Sequence, residues 1–265
     1  MEYSITEQMA CVIAREFEDD DILAVGLNAE MMLAAGFIAQ SLYCPRLTIN
    51  VGNRRVEDDI ELTPPAWCNI KNTKSPYVVS KYTSHDEILT VGNGSSTDFC
   101  NVFFVGGIQI DKYGNTNLIG IKSNDAYRSK SIFKMRGPGS VGTTSIASLS
   151  KKYYVFTTEH SKRRLVDTVD FVSVPGYNTR RHVGLFGGPK LIITPLCVFS
   201  FNNGKVQLES YHPHTSIEEI QSKTGFHFKL NGAKKTKRPT KRELRILRKV
   251  DKKRSLKKMD QILVY

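Results

Sequence analysis

Three clusters in this 265-residue sequence set glycine beside small polar side chains. Glycine lets backbone approach a ligand closely, and successive free N–H groups can hold an anion or a developing oxyanion. The clusters are Asn50-Val51-Gly52, GGIQIDKYGNTN from Gly106 to Asn117, and RGPGSVGTTS from Arg136 to Ser145. The first closes the apolar run LTIN, which puts Asn50 at the C-terminal end of an expected strand, where open α/β sheets bind ligands. A carboxamide there can hydrogen-bond and so orient a carbonyl or a carboxylate. It is no nucleophile at neutral pH, because its nitrogen lone pair is delocalised and its oxygen is uncharged. The nearest acids, Glu57, Asp58 and Asp59, follow only beyond the turn at Gly52.

Several other chemistries are not spelled out. RGPGSVGTTS lacks the Gly-Lys-Ser/Thr ending of a phosphate loop, and no GxGxxG follows the first expected strand. No GxSxG elbow is present. His212 and His214 flank Pro213 without a third ligand nearby, which favours a turn over a metal site. His160, beside SKRR, reads as a polar strand end, and Asp111 as a turn former. Gln109 and Asn115 have two readings, as the wall of a site or as side chains that satisfy turn backbone. Arg163 and Arg164 fit an interface or a structural role equally well.

Positioning these clusters takes a sheet. Ile5, Met9, Val12, Ile13 and Phe17 recur at helical spacing and predict an amphipathic helix over residues 5–17. A short buried strand is expected at Ile22 to Val25, then a helix over AEMMLAAGFIAQSLY with Asn28 as N-cap, then a strand at RLTINVG. Strand, helix and strand in so short a span predict a parallel crossover unit. Further strands are expected at NVFFVGGIQI, KYYVFTT, VDFVSV, LIITPLCVFSF and KVQLESYH. SIEEIQSKTGF predicts a helix capped by Thr215 or Ser216 and ended at Gly225. TKRELRILRKV carries a capping box, Thr240 with Glu243, and an apolar stripe of Leu244, Leu247 and Val250. Residues 53–101, punctuated by Pro64, Pro65 and Pro76, suggest no order of elements. Continuous apolar runs belong to strands covered on both faces. The expected class is therefore α/β, an open mainly parallel sheet with helices on both faces.

Apolar residues at 40% and charged residues at 24% are ordinary for a globular protein. No apolar run is long enough for a membrane span, and the acidic N-terminal stretch is unlike a signal peptide. Five scattered cysteines without a CxxC pair suggest a reduced, cytoplasmic protein with no zinc site. The net charge of +12 is unevenly spread: Lys229 to Met259 holds 15 Lys and Arg against two acids, and the remainder 23 against 24. A basic segment without interleaved aromatics, on a neutral body, argues against a nucleic-acid enzyme and for a solvated or partner-facing tail. The organisation read from this is one α/β domain over residues 1–230 and a basic C-terminal extension with a short helix over 231–265.

Taken in order, VGLNAEMMLAAGFIAQ, CPRLTIN, VGGIQIDKYGNTN, the glycine turn, TTEHSKRRLVDTVDFVSVPGY and SYHPHTSIEEIQSKTGF resemble family I coenzyme A transferases. The likeness is to their B (β) subunits of the glutaconate CoA-transferase type and covers residues 5–230. The ending PTKRELRILRKVDKKRSL is similar to the branch of steroid ring-opening hydrolases. The resemblance implies a homologous α subunit in an α2β2 assembly, an active site where the two chains meet, CoA as substrate and no tightly bound cofactor. In such transferases a β-chain glutamate attacks the acyl-CoA, and an anhydride and then a glutamyl-CoA thioester follow. The position of that glutamate is Asn50 here. The resemblance also assigns Gly52, Gly107, Gln109, Asn115, Asn117, Gly137, Gly139 and Ser140 to the CoA-binding surroundings, with the N–H groups of Gly137 and Gly139 near the thioester.

These assignments leave four activities. The chain is a transferase-like β subunit, or part of a CoA-thioester hydrolase or C–C bond-cleaving hydrolase whose acid or base comes from the α subunit. A decarboxylase on the same scaffold needs a polarised thioester but no covalent carrier. A non-catalytic subunit would only complete the pocket.

Overall fold

The computed structural model describes residues 3–26, 29–51, 54–56, 62, 100–123, 131–140, 142–150, 152–185, 187–230 and 232–265. The chain divides into two compact units, one of residues 1–103, 149–151 and 237–263, the other of 104–148, 152–236 and 264–265.

The first unit opens with α1 (Ile5–Ala14). Ser4 starts it with a full capping box: its hydroxyl accepts from Glu7 N at 3.2 Å and its own N–H donates to Glu7 at 2.9 Å. The helix stops at Ala14, and the buried Phe17 follows outside it. β1 (Ile22–Val25), α2 (Glu30–Leu42) and β2 (Thr48–Val51) form the expected crossover, with β1 and β2 parallel in the register Ala24–Asn50 and Val25–Val51. Asn28, the expected cap of α2, lies outside the described residues. Gly36 lets α2 sit close on these strands, since a Cβ there would lie 3.0 Å from Ile49 and 3.1 Å from Leu23. β3 (Arg54–Val56) pairs antiparallel with β2, setting Asn50 opposite Arg55. β4 (Val102–Val105) pairs in parallel with β1 through Val102 and Leu23.

In the second unit the chain passes through β5 (Gln109–Asp111), β6 (Thr116–Asn117), β7 (Gly120–Lys122) and β8 (Phe133–Arg136). Next come α3 (Thr143–Leu149), β9 (Lys152–Phe156), β10 (Leu165–Val166) and α4 (Tyr177–His182). β11 (Leu191–Ile193), β12 (Cys197–Asn202), β13 (Lys205–Tyr211), α5 (Ile217–Lys223) and β14 (Lys234–Lys235) complete it. β9 with β11 and β13 with β14 are parallel, and the antiparallel hairpin β11–β12–β13 joins them. Parallel pairs thus recur in both units, and the class is α/β with a mainly parallel sheet, as the sequence implies.

Several expected strands differ in detail. NVFFVGGIQI is two strands, because Gly106 and Gly107 interrupt it. LIITPLCVFSF is also two, since Pro195 has no N–H to donate and Thr194 turns the chain by accepting from Cys197 N at 3.0 Å. VDFVSV is no strand: side chains fix it, with Asp170 N donating to Gln109 at 2.9 Å and Leu118 N to Ser173 at 2.8 Å. α3 and α4, short and polar, have no periodic apolar stripe to announce them.

Residues 237–263 belong to the first unit, where α6 (Lys241–Val250) and α7 (Ser255–Met259) pack on α1 and α2. The basic segment is thus fastened by the buried acids Glu7 and Glu243 rather than trailing. Arg248 donates to Glu7 at 2.9 and 3.0 Å, and Arg15 to Glu243 at 2.7 and 2.8 Å. Leu244, Leu247 and Val250 are buried, as the stripe requires. Among the described residues no helix is long and apolar enough to cross a membrane, and Cys11, Cys44, Cys100 and Cys197 are buried and form no disulfide.

Candidate functional site

Asn50 is the penultimate residue of β2 in the first unit and is 1% exposed. Gly52 and the acids Glu57, Asp58 and Asp59 lie outside the described residues. A buried carboxamide at a strand end offers a hydrogen-bonding side chain and no charge.

In the second unit, Gln109 and Asn117 stand opposite each other on β5 and β6. Asn117 donates to Gln109 Oε1 and to Gly120 O, each at 2.7 Å, and accepts from Ile119 N at 2.9 Å. Gln109 also accepts from Asp170 N at 2.9 Å. At the far end of the hairpin, Asp111 accepts from Tyr113 N at 2.9 Å, Asn115 N at 3.1 Å and Asn115 Nδ2 at 2.9 Å. Burial pushes the Asp111 carboxyl above the ordinary carboxylate range, although these hydrogen bonds work against the rise. Asn115 accepts from Gly176 N at 2.6 Å and donates to Asn178 at 3.0 Å. The motif is therefore a self-satisfied lattice. Its amides engage turn backbone, and what Gln109, Asn115 and Asn117 can lend a ligand is a rigid wall.

A further brace comes from residues whose role the sequence left undecided. Arg164 hydrogen-bonds the Gly107 carbonyl through one arm and Glu159 at 2.9 Å through the other. Glu159 also accepts from Ser161 at 2.5 Å and from Arg163 at 2.7 Å. Burial opposes its charge, but these donors outweigh burial and hold its carboxyl below the ordinary range. No local motif announces this link, because Arg164 and Gly107 are 57 residues apart.

The glycine turn differs from expectation in one respect. Gly137 N donates to Ile119 O at 2.7 Å and Gly139 N to Leu118 O at 2.9 Å. Those N–H groups hold the turn to residues 118–119, which takes them from the role of oxyanion donors. A side chain at Gly137 would place its Cβ 2.3 Å from the Leu118 oxygen, whereas Gly139 has φ +84° with nothing within 4 Å of a Cβ. The first glycine is required by contact, the second by backbone conformation. Gly137→Ala is expected to cost several kcal/mol, like other substitutions that force backbone apart. Gly139→Ala should cost about 1 kcal/mol, so midpoints of urea unfolding should rank them in that order. Ser140 is partly exposed and its carbonyl accepts from Thr143 N at 2.8 Å, opening α3.

The histidines are internal struts. His160 is fully buried between Thr194 at 2.8 Å and Thr224 at 3.0 Å, and burial pushes its pKa down to about 3. His212 faces the Thr194 carbonyl at 3.0 Å with Nε2, which must carry the proton, and burial lowers it to about 4. Among the described residues no three His, Cys, Asp or Glu side chains are placed to hold a metal ion.

Comparison with known proteins agrees with this architecture. The coenzyme A transferase family matches residues 6–223. The B-type chain of glutaconate CoA-transferase from Acidaminococcus fermentans is 25% identical over 93% of this chain and 91% of its own length. The cholesterol ring-cleaving hydrolase IpdB subunit of Rhodococcus jostii is 29% identical over 58% of this chain and 60% of its own length. The decarboxylase AibA/AibB has a similar fold, with a TM-score of 0.79 over 99% of each chain at 19% identity. A match running through the crossover unit, the GGIQIDKYGNTN lattice and α5 makes this chain a member of the coenzyme A transferase family.

Proposed function

We propose that this chain is the B-type member of a cytoplasmic two-chain enzyme acting on acyl-CoA thioesters, with CoA as substrate and no tightly bound cofactor. We further propose that its reaction uses no carboxylate of its own at the end of β2. The observation that carries the second statement is Asn50, buried at that strand end. A covalent CoA carrier must be anionic and nucleophilic, and a carboxamide is neither. The chemistry left to Asn50 is to orient a thioester carbonyl or a substrate carboxylate. The acid or base then comes from the A-type subunit, and the reaction is hydrolysis, C–C cleavage or decarboxylation.

Relatives support this range. One is a chain of a CoA-transferase, another a chain of a ring-cleaving hydrolase, and a third fold is that of a two-component decarboxylase. An α2β2 stoichiometry follows the same kinship. Transfer of CoA between carboxylic acids is the second reading, favoured by the 25% identity to the B-type chain of the glutaconate enzyme.

The test is to purify the chain with its A-type subunit and supply acyl-CoA with acetate in excess. CoA released to water, or a cleaved acyl chain, is expected, with no acetyl-CoA and no hydroxylamine-sensitive adduct on this chain. Acetyl-CoA together with a trapped adduct would establish transfer instead. Asn50→Ala is expected to lower kcat by on the order of 100-fold, as loss of one donor to a reacting carbonyl does. An unchanged kcat would reduce the chain to a supporting role.

A further inference from the structure

A cavity of about 330 Å³ opens in the second unit next to the Asp111 turn. Lys112, Tyr113, Lys205, His227, Phe228 and Lys229 line it, all from that one unit and none of them assigned above. Its aromatic walls are fixed from behind. Tyr113 donates its N–H to Asp111 at 2.9 Å, and its carbonyl accepts from Tyr177 N at 2.9 Å. The half-buried Phe228 meets the fully buried Phe199 ring edge-on at 5.0 Å. The lysines differ in what they have to offer. Lys112 is already paired, since its ammonium donates to both Asp167 oxygens at 2.8 Å. Lys205 and Lys229 are exposed and have no side-chain partner among the described residues. The parallel bridge from Gln207 to Lys229 puts Lys229 on the face of β13 that carries Lys205, two residues before Gln207. Like charges on one sheet face repel, and an anion brought to the cavity relieves that repulsion.

We propose that this cavity binds a small planar phosphate, in the form of a nucleoside monophosphate unit. The proposal does not rest on the two-chain reading, because one compact unit supplies every group it needs. Size, charge and surface each select the ligand. A volume of about 330 Å³ is at the lower end for ligand sites, with room for one ring system and one phosphate. A phosphate monoester carries close to two negative charges at neutral pH. That matches the two unpaired ammonium groups, where a carboxylate would leave one of them unmet. Each ammonium is a compact charge with three donors, suited to phosphate oxygens. Tyr113 and Phe228 supply the aromatic surface on which a base stacks, whatever its identity. The nucleotide is either free or the nucleotide end of CoA, since both present the same ring and phosphate.

The experiment titrates the full-length chain calorimetrically with AMP, adenosine, inorganic phosphate and CoA. AMP is expected to bind about tenfold or more tighter than adenosine or phosphate alone, because ring and phosphate act together. Lys205→Glu with Lys229→Glu should weaken AMP about 100-fold and remove the salt dependence of its binding, with the unfolding midpoint at the wild-type value. Tyr113→Ala should weaken AMP about tenfold, as loss of one stacking ring does, and leave the affinity for phosphate unchanged. CoA that binds and is weakened by the same factor in the double variant would identify the nucleotide end of CoA as the source. CoA left unaffected by the double variant would make the source a free nucleotide. No binding of AMP to the wild type, or equal AMP affinity in wild type and double variant, would overturn the proposal. AMP bound no more tightly than phosphate would mean that surface lysines merely attract an anion, and would also overturn it. None of these outcomes touches the reading of the chain as half of a two-chain enzyme, because no turnover is measured.

Discussion

Replacing Asn50 by glutamate is expected to create an enzyme-bound CoA thioester where the wild type forms none. The substitution adds one methylene and supplies the anionic oxygen that attack on an acyl-CoA requires. β2 holds the position between Ala24 on one side and Arg55 on the other, so the new side chain starts from a fixed backbone. The cost is that of placing a carboxyl where the native residue is 1% exposed. Burial disfavours the charged form and raises the carboxyl pKa, and a loss of about 1–3 kcal/mol in stability is expected. Intact mass spectrometry of the assembled Asn50→Glu enzyme after acyl-CoA should show this chain heavier by CoA less water. Hydroxylamine should discharge the adduct, and Asn50→Gln should show none. A folded, assembled Asn50→Glu variant that forms no adduct would remove Asn50 from the carrier position and with it the argument against transfer.

Glu243→Ala should be the most damaging single substitution in the first unit, with a loss of about 3 kcal/mol or more. Glu243 is fully buried and serves three partners: Arg15, the Thr240 N–H at 2.6 Å and the Tyr43 hydroxyl at 2.8 Å. Removing it leaves a cation unpaired and a helix cap broken, and loosens α6 from α1. Truncation after Gly232 should go further, since it strips Leu244, Leu247, Val250 and Leu256 from the core. Acid should reveal the same anchor. Burial opposes ionisation of Glu243, yet the Arg15, Thr240 and Tyr43 hydrogen bonds bring its pKa from the ordinary 4.5 to about 2. The unfolded chain therefore binds the proton first as pH falls. The stabilisation is whole above pH 4.5 and lost through about 2. His160 and His212 act in the same direction at higher pH. Kept neutral by burial, with pKa values lowered from 6.5 to about 3 and about 4, they favour the folded state less and less below pH 6.5. Urea midpoints should therefore decline from about pH 7 to about pH 4, and the deficit of Glu243→Ala should narrow only below about pH 4.5.

The elements that the sequence determined are those whose signals are local. The crossover of β1, α2 and β2 follows from apolar runs broken by turns. α6 follows from Thr240, Glu243 and three apolar residues at helical spacing, and the Asp111 turn from side chains that bond backbone two to four residues away. The identity of residue 50 is likewise a matter of sequence, and it sets what that position can and cannot do. Tertiary structure decided what depends on partners far along the chain. Arg164 reaches Gly107, Gln109 meets Asp170, and Arg248 meets Glu7 across 241 residues. The last of these turns an apparent basic tail into part of a core, because two buried carboxylates need cations and only the folded chain brings them. Likewise, the N–H groups of Gly137 and Gly139 look available in a string of letters, and only the approach of Leu118 and Ile119 shows that they are taken.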